Sequence, residues 1–431
     1  MYISLAILIL TCALIIIAVL VKPSVKIGRL TLGTYWISAL FGAILMVVFN
    51  CIDFKSIYLG LTSNTAVNPI KILVLFISMT LLSVFLDETG FFSYLAERVL
   101  HKAKTGQKTL FFTLYVTVSI LTVFTSNDII ILTFTPFICF FCKQAKIDPV
   151  PYLFAEFVAA NTWSMALIIG NPTNIYLASN FNVGFFDYFS IMILPTIAGG
   201  LVSLLLLYLI FKNKLKAPLS NEDLLLKHTI KDKFLLVLGL VHLIGCIILL
   251  AISSYINLEM WLICLILCIT ELIISTTYLV IKRDKLYVIR GCLRRAPYEL
   301  IPFVISMFIV VLGVNNSGLT EILSSYLTKL NPIYSFGITS FLTCNLINNI
   351  PMSVLYANLS YSGGTGAVFA SVVGSNLGAL LTPIGALAGI MWCNLLKIHN
   401  LKFSFKTFIK YGVIVSIPTL ITTLTVLLLV L

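Results

Sequence analysis

Charge is scarce in this chain of 431 residues: Lys and Arg number 28 and Asp and Glu 16, together 10% of residues against 60% apolar ones. That shortage excludes a water-soluble fold, because a soluble core stops growing near ~300 residues and still needs a charged exterior. Histidine is scarcer still. His101, His228, His242 and His399 stand far apart, so the sequence assembles no His, Asp and Cys cluster of the kind a membrane enzyme needs. Disulfide and metal frameworks are missing too. Cys12, Cys139, Cys142, Cys246, Cys264, Cys268, Cys344 and Cys393 lie in apolar runs and read as small buried hydrophobes, and the Cys139/Cys142 spacing has no second ligand pair. No Lys or Arg precedes the first apolar run and no small-residue cleavage site follows it, so it reads as a retained helix and not as a signal peptide.

What is present is a series of apolar runs of membrane-spanning length. At ~17–25 residues per span, they fall at 2–21, 34–52, 70–88, 187–211, 233–253, 258–281, 298–315 and 407–431. Two further stretches, 109–180 and 333–396, are apolar but interrupted by Asn, Pro, Gly and Asp. They read as re-entrant hairpins at 109–142 and 333–362, each followed by a broken helix, at 151–180 and 367–396. The fold class is therefore an all-α polytopic membrane protein. Residues 1–69 supply N-terminal scaffold helices, 70–211 a first repeat, 212–297 basic loops with connecting helices 233–253 and 258–281, and 298–431 a second, inverted repeat.

With the N-terminus outside, basic clusters at 22–29, 98–108, 143–146, 212–233, 282–295 and 397–410 all face the cytoplasm, leaving Lys55, Lys71 and Lys329 outside. The positive-inside rule selects that topology, with both termini outside the plasma membrane. Lys108 and Lys143 flank the first hairpin and stay on one side only if it enters and leaves from the cytoplasm. The formal charge of +12 then belongs to topology and to contact with anionic lipid headgroups, not to nucleic acid.

Self-comparison gives the repeat. ISMTLLSVFLDETGFFSYLAERV from Ile77 aligns without a gap with ISMFIVVLGVNNSGLTEILSSYL from Ile305, 228 residues on. Farther along, the Asn127-Asp128 step is matched to Asn348-Asn349, Asn161 to Asn376, and the Pro172 region to Pro383. In the topology above the two repeats run in opposite directions, and paired interrupted helices in inverted repeats point to a transporter's midplane site.

Four polar interruptions carry the chemistry: Thr125–Asp128, Asn161-Thr162 with Gly170–Asn174, Asn345–Pro351, and Gly374–Asn376 with Thr382–Gly385. Irregular backbone at membrane depth survives only against protein or a water-filled cavity. There it frees carbonyls for a cation or proton and offers half-helix N-termini to an anion. No Lys or Arg occupies these breaks, which suits a neutral or weakly anionic substrate, or one carried with a co-ion. Asp128 is the carboxylate at the first hairpin tip. An acid there is costly, and it is the expected carrier of a coupled proton or cation; Asn349 takes its place in the second repeat. Glu271 and His242 fall mid-helix and suit a mutual pair, Glu156 is expected to face a cytoplasmic vestibule, and Asp87 and Glu88 are expected to pair with Arg98.

TSNDIIILTFTP (125–136), NLINNIPMSV (345–354) and GSNLGALLTPIGALAGIMW (374–392) resemble the ion transporter superfamily, and most of all its arsenite permease branch. GNPTN (170–174) looks more like the citrate, dicarboxylate and sodium/proton antiporter branches. The resemblance implies a two-repeat transporter without enzymatic activity or resident cofactor, exporting arsenite or antimonite by proton antiport or under an associated ATPase. Sodium- or proton-coupled transport of a small carboxylate, or sodium/proton antiport, is the alternative. It places Asn127, Asp128, Asn161, Thr162, Asn171, Asn174, Asn348, Asn349, Ser375, Asn376 and Thr382 around substrate and ion; Ser126, Thr173 and Asn345 of the same breaks complete the expected set. Expected partners are the small oxyanion or carboxylate, membrane lipid, a cytoplasmic arsenite-pump ATPase and a second copy of the chain.

Overall fold

The computed structural model describes residues 1–21, 24–27, 30–64, 68–102, 106–179, 181, 183–216, 230–253, 255–399, 401 and 403–431. Lys22, Arg29, Lys104, Lys227 and Lys402 of the basic clusters, and His228, lie outside these. Helices α1 (Tyr2–Val21) and α2 (Tyr35–Val48) have a short antiparallel ribbon between them, β1 (Ser24–Ile27) on β2 (Leu30–Gly33), and are followed by α3 (Phe54–Thr62). Among the described residues the ribbon is the one departure from an all-helical chain; its alternating Val, Ile, Leu and Thr favour an extended backbone.

Next come α4 (Pro69–Glu88), α5 (Phe91–Lys102), α6 (Gln107–Phe124), α7 (Asn127–Gln144), α8 (Val150–Trp163), α9 (Pro172–Ser179) and α10 (Phe185–Phe211). Connecting helices α11 (Lys233–Ala251), α12 (Met260–Ile281) and α13 (Tyr287–Arg295) lead to α14 (Leu300–Asn316), α15 (Leu319–Leu327), α16 (Pro332–Ile347), α17 (Asn349–Leu359), α18 (Gly364–Gly378), α19 (Leu387–Ile398) and α20 (Phe405–Val430). Among the described residues, 7 helices are long and apolar enough to cross a membrane. Their outer faces fit lipid. Leu201, Leu205 and Leu209 on α10, and Val237, Val241, Ile244 and Ile248 on α11, form exposed apolar stripes at helical spacing.

The order α4–α10 is repeated by α14–α20. Both repeats turn after their first helix on a left-handed glycine, Gly90 (φ 91°) and Gly318 (φ 74°), whose N–H groups donate to Asp87 O at 2.9 Å and Asn315 O at 3.0 Å. Only glycine takes that conformation without a Cβ penalty. The repeats then interlock: α10 packs on α20, while α7 packs on α19 and α17 on α9. Each hairpin's second arm thus lies on the far half of the other repeat's broken helix.

Helices α16 and α18 approach closely because Gly374 lacks a side chain; a Cβ there would collide with Ser340 Oγ and the Gly337 carbonyl. Gly374→Ala is expected to cost about 1–3 kcal/mol, read as a lower Tm in detergent. An unchanged Tm would mean the two helices are not in contact there.

The structure corrects four expectations. The helix starts put Ser126 and Asn127 opposite Asn348 and Asn349, so Asp128 has Ile350, not Asn349, as its counterpart. The cap bonds agree: Asp128 N–H donates to Ser126 Oγ at 3.3 Å and Ile350 N–H to Asn348 Oδ1 at 3.3 Å. In the broken helices Pro172 faces Leu387 in register, and Pro383 matches Ile168. Asp87 and Glu88 pair with Arg295, from Nη1 at 2.7 and 3.1 Å, whereas Arg98 Nε donates to Tyr94 OH. Glu271 is buried with both oxygens unpartnered while His242 Nδ1 lies 2.9 Å from Leu238 O, so those two do not pair.

Candidate functional site

Each of the four polar stretches lies at a break, although Asn161-Thr162 and Gly374–Asn376 themselves belong to the last turns of α8 and α18. Ser126 caps α7 after α6 ends at Phe124, and Asn348 separates α16 from α17. Helices α8 and α18 each stop, make one short 3-10 turn (Ile168–Gly170, Pro383–Gly385), and restart as α9 and α19. Asn348 holds φ 71° and ψ 156°, a conformation that strains any residue but glycine. Its side chain stabilises the bend, donating to Ile384 O at 3.0 Å and accepting from Ile350 N–H.

The broken helices meet in a closed polar cluster around Asn376, which is wholly buried. Its Oδ1 accepts from Asn171 Nδ2 at 3.0 Å and lies 2.9 Å from Ser164 Oγ; its Nδ2 donates to Asn174 Oδ1 at 2.7 Å and Val372 O at 2.8 Å. Asn174 in turn donates to Ser164 O and Leu167 O, and Asn171 Oδ1 accepts from Thr173 Oγ1 and N–H. One amide from the second repeat therefore fixes the restart of the first repeat's broken helix. Ser164 escaped the sequence reading because, one residue past α8, it looks like more of the same helix.

Several of the remaining expected residues extend from this cluster. Asn127 Nδ2 donates to Asn161 Oδ1 at 3.2 Å, joining the first hairpin tip to the end of α8. On the other side Asn345 donates to Phe341 O and Gly378 O and accepts from Thr382 Oγ1 at 2.6 Å. Thr162 Oγ1, Asn349 Oδ1 and Ser375 Oγ are buried without any partner. Such groups are costly unless something else meets them. The repeats are not chemically equivalent: Asn171 and Asn174 correspond in register to Ala386 and Gly389.

Asp128 stands apart from the amides. It lines a cavity of about 600 Å³ whose walls include Phe76, Thr80 and Val84 of α4, Ser126, Leu132 and Pro136 at the hairpin, and Leu387 and Met391 of α19. Lys231, Arg294 and Arg295, with Asp87 and Glu88, line it as well, so the cavity joins the basic face to the hairpin tip. The asparagines of the cluster are not among its walls. This cavity reaches Asp128 from the basic face.

The chain matches the family described as "CitMHS: Citrate transporter" over residues 13–368. It belongs to that family of membrane transporters. Within the ion transporter superfamily its relatives include the "Arsenical pump membrane protein" of Escherichia coli (strain K12), 30% identical over 419 residues, covering 91% of this chain and 92% of that protein. The "Putative arsenical pump membrane protein" of Bacillus subtilis (strain 168) is 24% identical over 423 residues, covering 90% and 93%. Among solved structures the Alcanivorax borkumensis YdaH transporter, described as having an unusual topology, superposes with a TM-score of 0.57 at 15% identity over 98% of this chain and 97% of that one. In this family member the two interlocked repeats of broken helices are thus the transporter fold itself, and the protein is a multi-pass membrane transporter.

Proposed function

We propose that the protein exports arsenite and antimonite in exchange for protons, with the cavity at Asp128 open to the cytoplasm and both termini outside. The closed cluster carries this reading: amides and hydroxyls from both repeats, orphaned polar atoms beside them, and no Lys or Arg. Amides donate and accept in equal measure, which matches the hydroxyl groups of a neutral metalloid acid. A multiply charged citrate would be buried there with no side-chain cation to meet it. The names of the arsenical pump relatives support the same reading, and the basic face is set inside by the positive-inside rule. Asp128 takes a proton when the site is open to the outside and gives it up to the cytoplasm through this cavity, where arsenite then binds, so that substrate and proton move in opposite directions. Everted vesicles are expected to accumulate arsenite, but not citrate.

Citrate or dicarboxylate transport coupled to sodium or protons is the second reading, favoured by the basic residues lining the cavity. Arg295→Gln decides between them. It leaves Asp87 and Glu88 uncompensated in the cavity wall, so KM for an anion should rise severalfold at low salt while KM for neutral arsenite stays within about twofold. A matching rise for arsenite would favour an anionic substrate.

A further inference from the structure

Glu156 takes no part in the amide cluster and does not line the cavity. It is wholly buried on α8, a turn and a half before Asn161. The expectation that it faces a vestibule is therefore wrong, because α6, α7, α10 and α18 enclose the helix. Its carboxyl oxygens lie 2.9 and 3.0 Å from the Thr135 hydroxyl of α7. A hydroxyl has a single proton to give, so one oxygen lacks a donor. Trp392 of α19, packed on Phe157 at 5.2 Å, brings its buried indole N–H beside the same carboxyl without forming a well-aligned hydrogen bond.

The surroundings offer no compensating charge. Cys139 of α7 is a titratable neighbour and carries no positive charge. Tyr115 of α6 is engaged with Gly200 O and Ser203, Tyr188 of α10 with Met165 O, and Tyr152 of α8 itself with Gln107. Helix α18 has no titratable residue, and Lys143 of α7, Lys397 of α19 and Lys406 and Lys410 of α20 are exposed. Among the described residues no cation pairs with Glu156. An ionised carboxylate with a single donor inside a membrane protein is far costlier than a neutral acid.

We propose that Glu156 is a second proton-binding site, occupied by a proton in this conformation and emptied when α7 and α19 move off α8. The geometry gives the coupling. Helix α7 carries both Asp128, in the cavity wall, and Thr135, two turns farther on, so displacing one helix changes the surroundings of both acids. Displacement of α7 and α19 would open the pocket to water, which supplies the donors an ionised carboxylate lacks here. A sodium ion fits less well, because hard cations take about six oxygens and this pocket supplies a carboxyl and a hydroxyl.

The protonation itself is independent of what is transported and is read on the purified protein by infrared spectroscopy. The difference spectrum between wild type and Glu156→Gln at neutral pH should contain one protonated-carboxyl C=O band, and that band should shift to higher frequency when Thr135→Val removes the hydroxyl; buried Glu271, common to both proteins, cancels. The role in coupling rests on the proton-exchange reading. In proteoliposomes Glu156→Gln should lower the protons moved per arsenite by about one, whereas Asp128→Asn abolishes exchange. A difference spectrum without that band overturns the protonation. An unchanged proton-to-arsenite ratio in Glu156→Gln overturns the role in coupling. If the wild type moves no arsenite, the infrared result still decides whether Glu156 holds a proton.

Discussion

Asp128→Asn should abolish proton-driven accumulation while the protein inserts and folds as before. Asparagine keeps the shape of the side chain, and the cap that shapes the hairpin uses the backbone N–H of residue 128 with Ser126 Oγ and Asn127 Oδ1. What is lost is a group that can exchange a proton with the cavity. One proton exchanged across a pH difference of one unit supplies about 1.4 kcal/mol, or ~10-fold accumulation. The variant should lose that factor and fill only to equilibrium, with an unchanged elution profile and Tm. Gradient-driven accumulation at the wild-type level would remove Asp128 from the mechanism.

Asn376→Ala should be as damaging to transport but visible in stability too. The Asn376 side chain is acceptor for Asn171 and donor to Asn174. Truncation leaves Asn171 Nδ2 and Asn174 Oδ1 buried without partners, at about 1–3 kcal/mol each. Ser164 is spared, because it also lies 2.9 Å from Asn161 O. Tm should fall by several degrees and uptake to background, since the restart of α9 is no longer fixed. Asn376→Asp keeps the acceptor, loses the donor and buries a charge, so it should be worse than alanine in both assays. Near-normal uptake by either variant would mean that the cluster is a structural brace and the substrate binds elsewhere.

Much of this architecture is legible in the sequence, because the bilayer leaves few ways to place an Asn, Gly or Pro inside an apolar run. TSND, GNPTN, NLINNIP and GSNLG mark the four breaks directly. The register between repeats was harder to read. The Gly90 and Gly318 turns are 228 residues apart, the hairpin tips Asn127 and Asn349 are 222 apart, and Asn161 and Asn376 are 215 apart. Loop lengths therefore change between elements, and extending one alignment misplaced the partner of Asp128 by one residue. The Arg295 pair was hidden for a different reason: its carboxylates lie 207 and 208 residues away, while Arg98 sits nearby in sequence. Glu156 was misread because α8 is buried all round. It has no polar face from which to tell a cavity-facing acid from an enclosed one.

The account stands or falls on the flow of substrate against protons. Arsenite should be measured in everted vesicles containing the wild-type protein, first with an inward-acid gradient imposed and then with that gradient collapsed by an ionophore. The account predicts accumulation above equilibrium that drains when the gradient is removed. Accumulation indifferent to the gradient, or none at all under either condition, would contradict it.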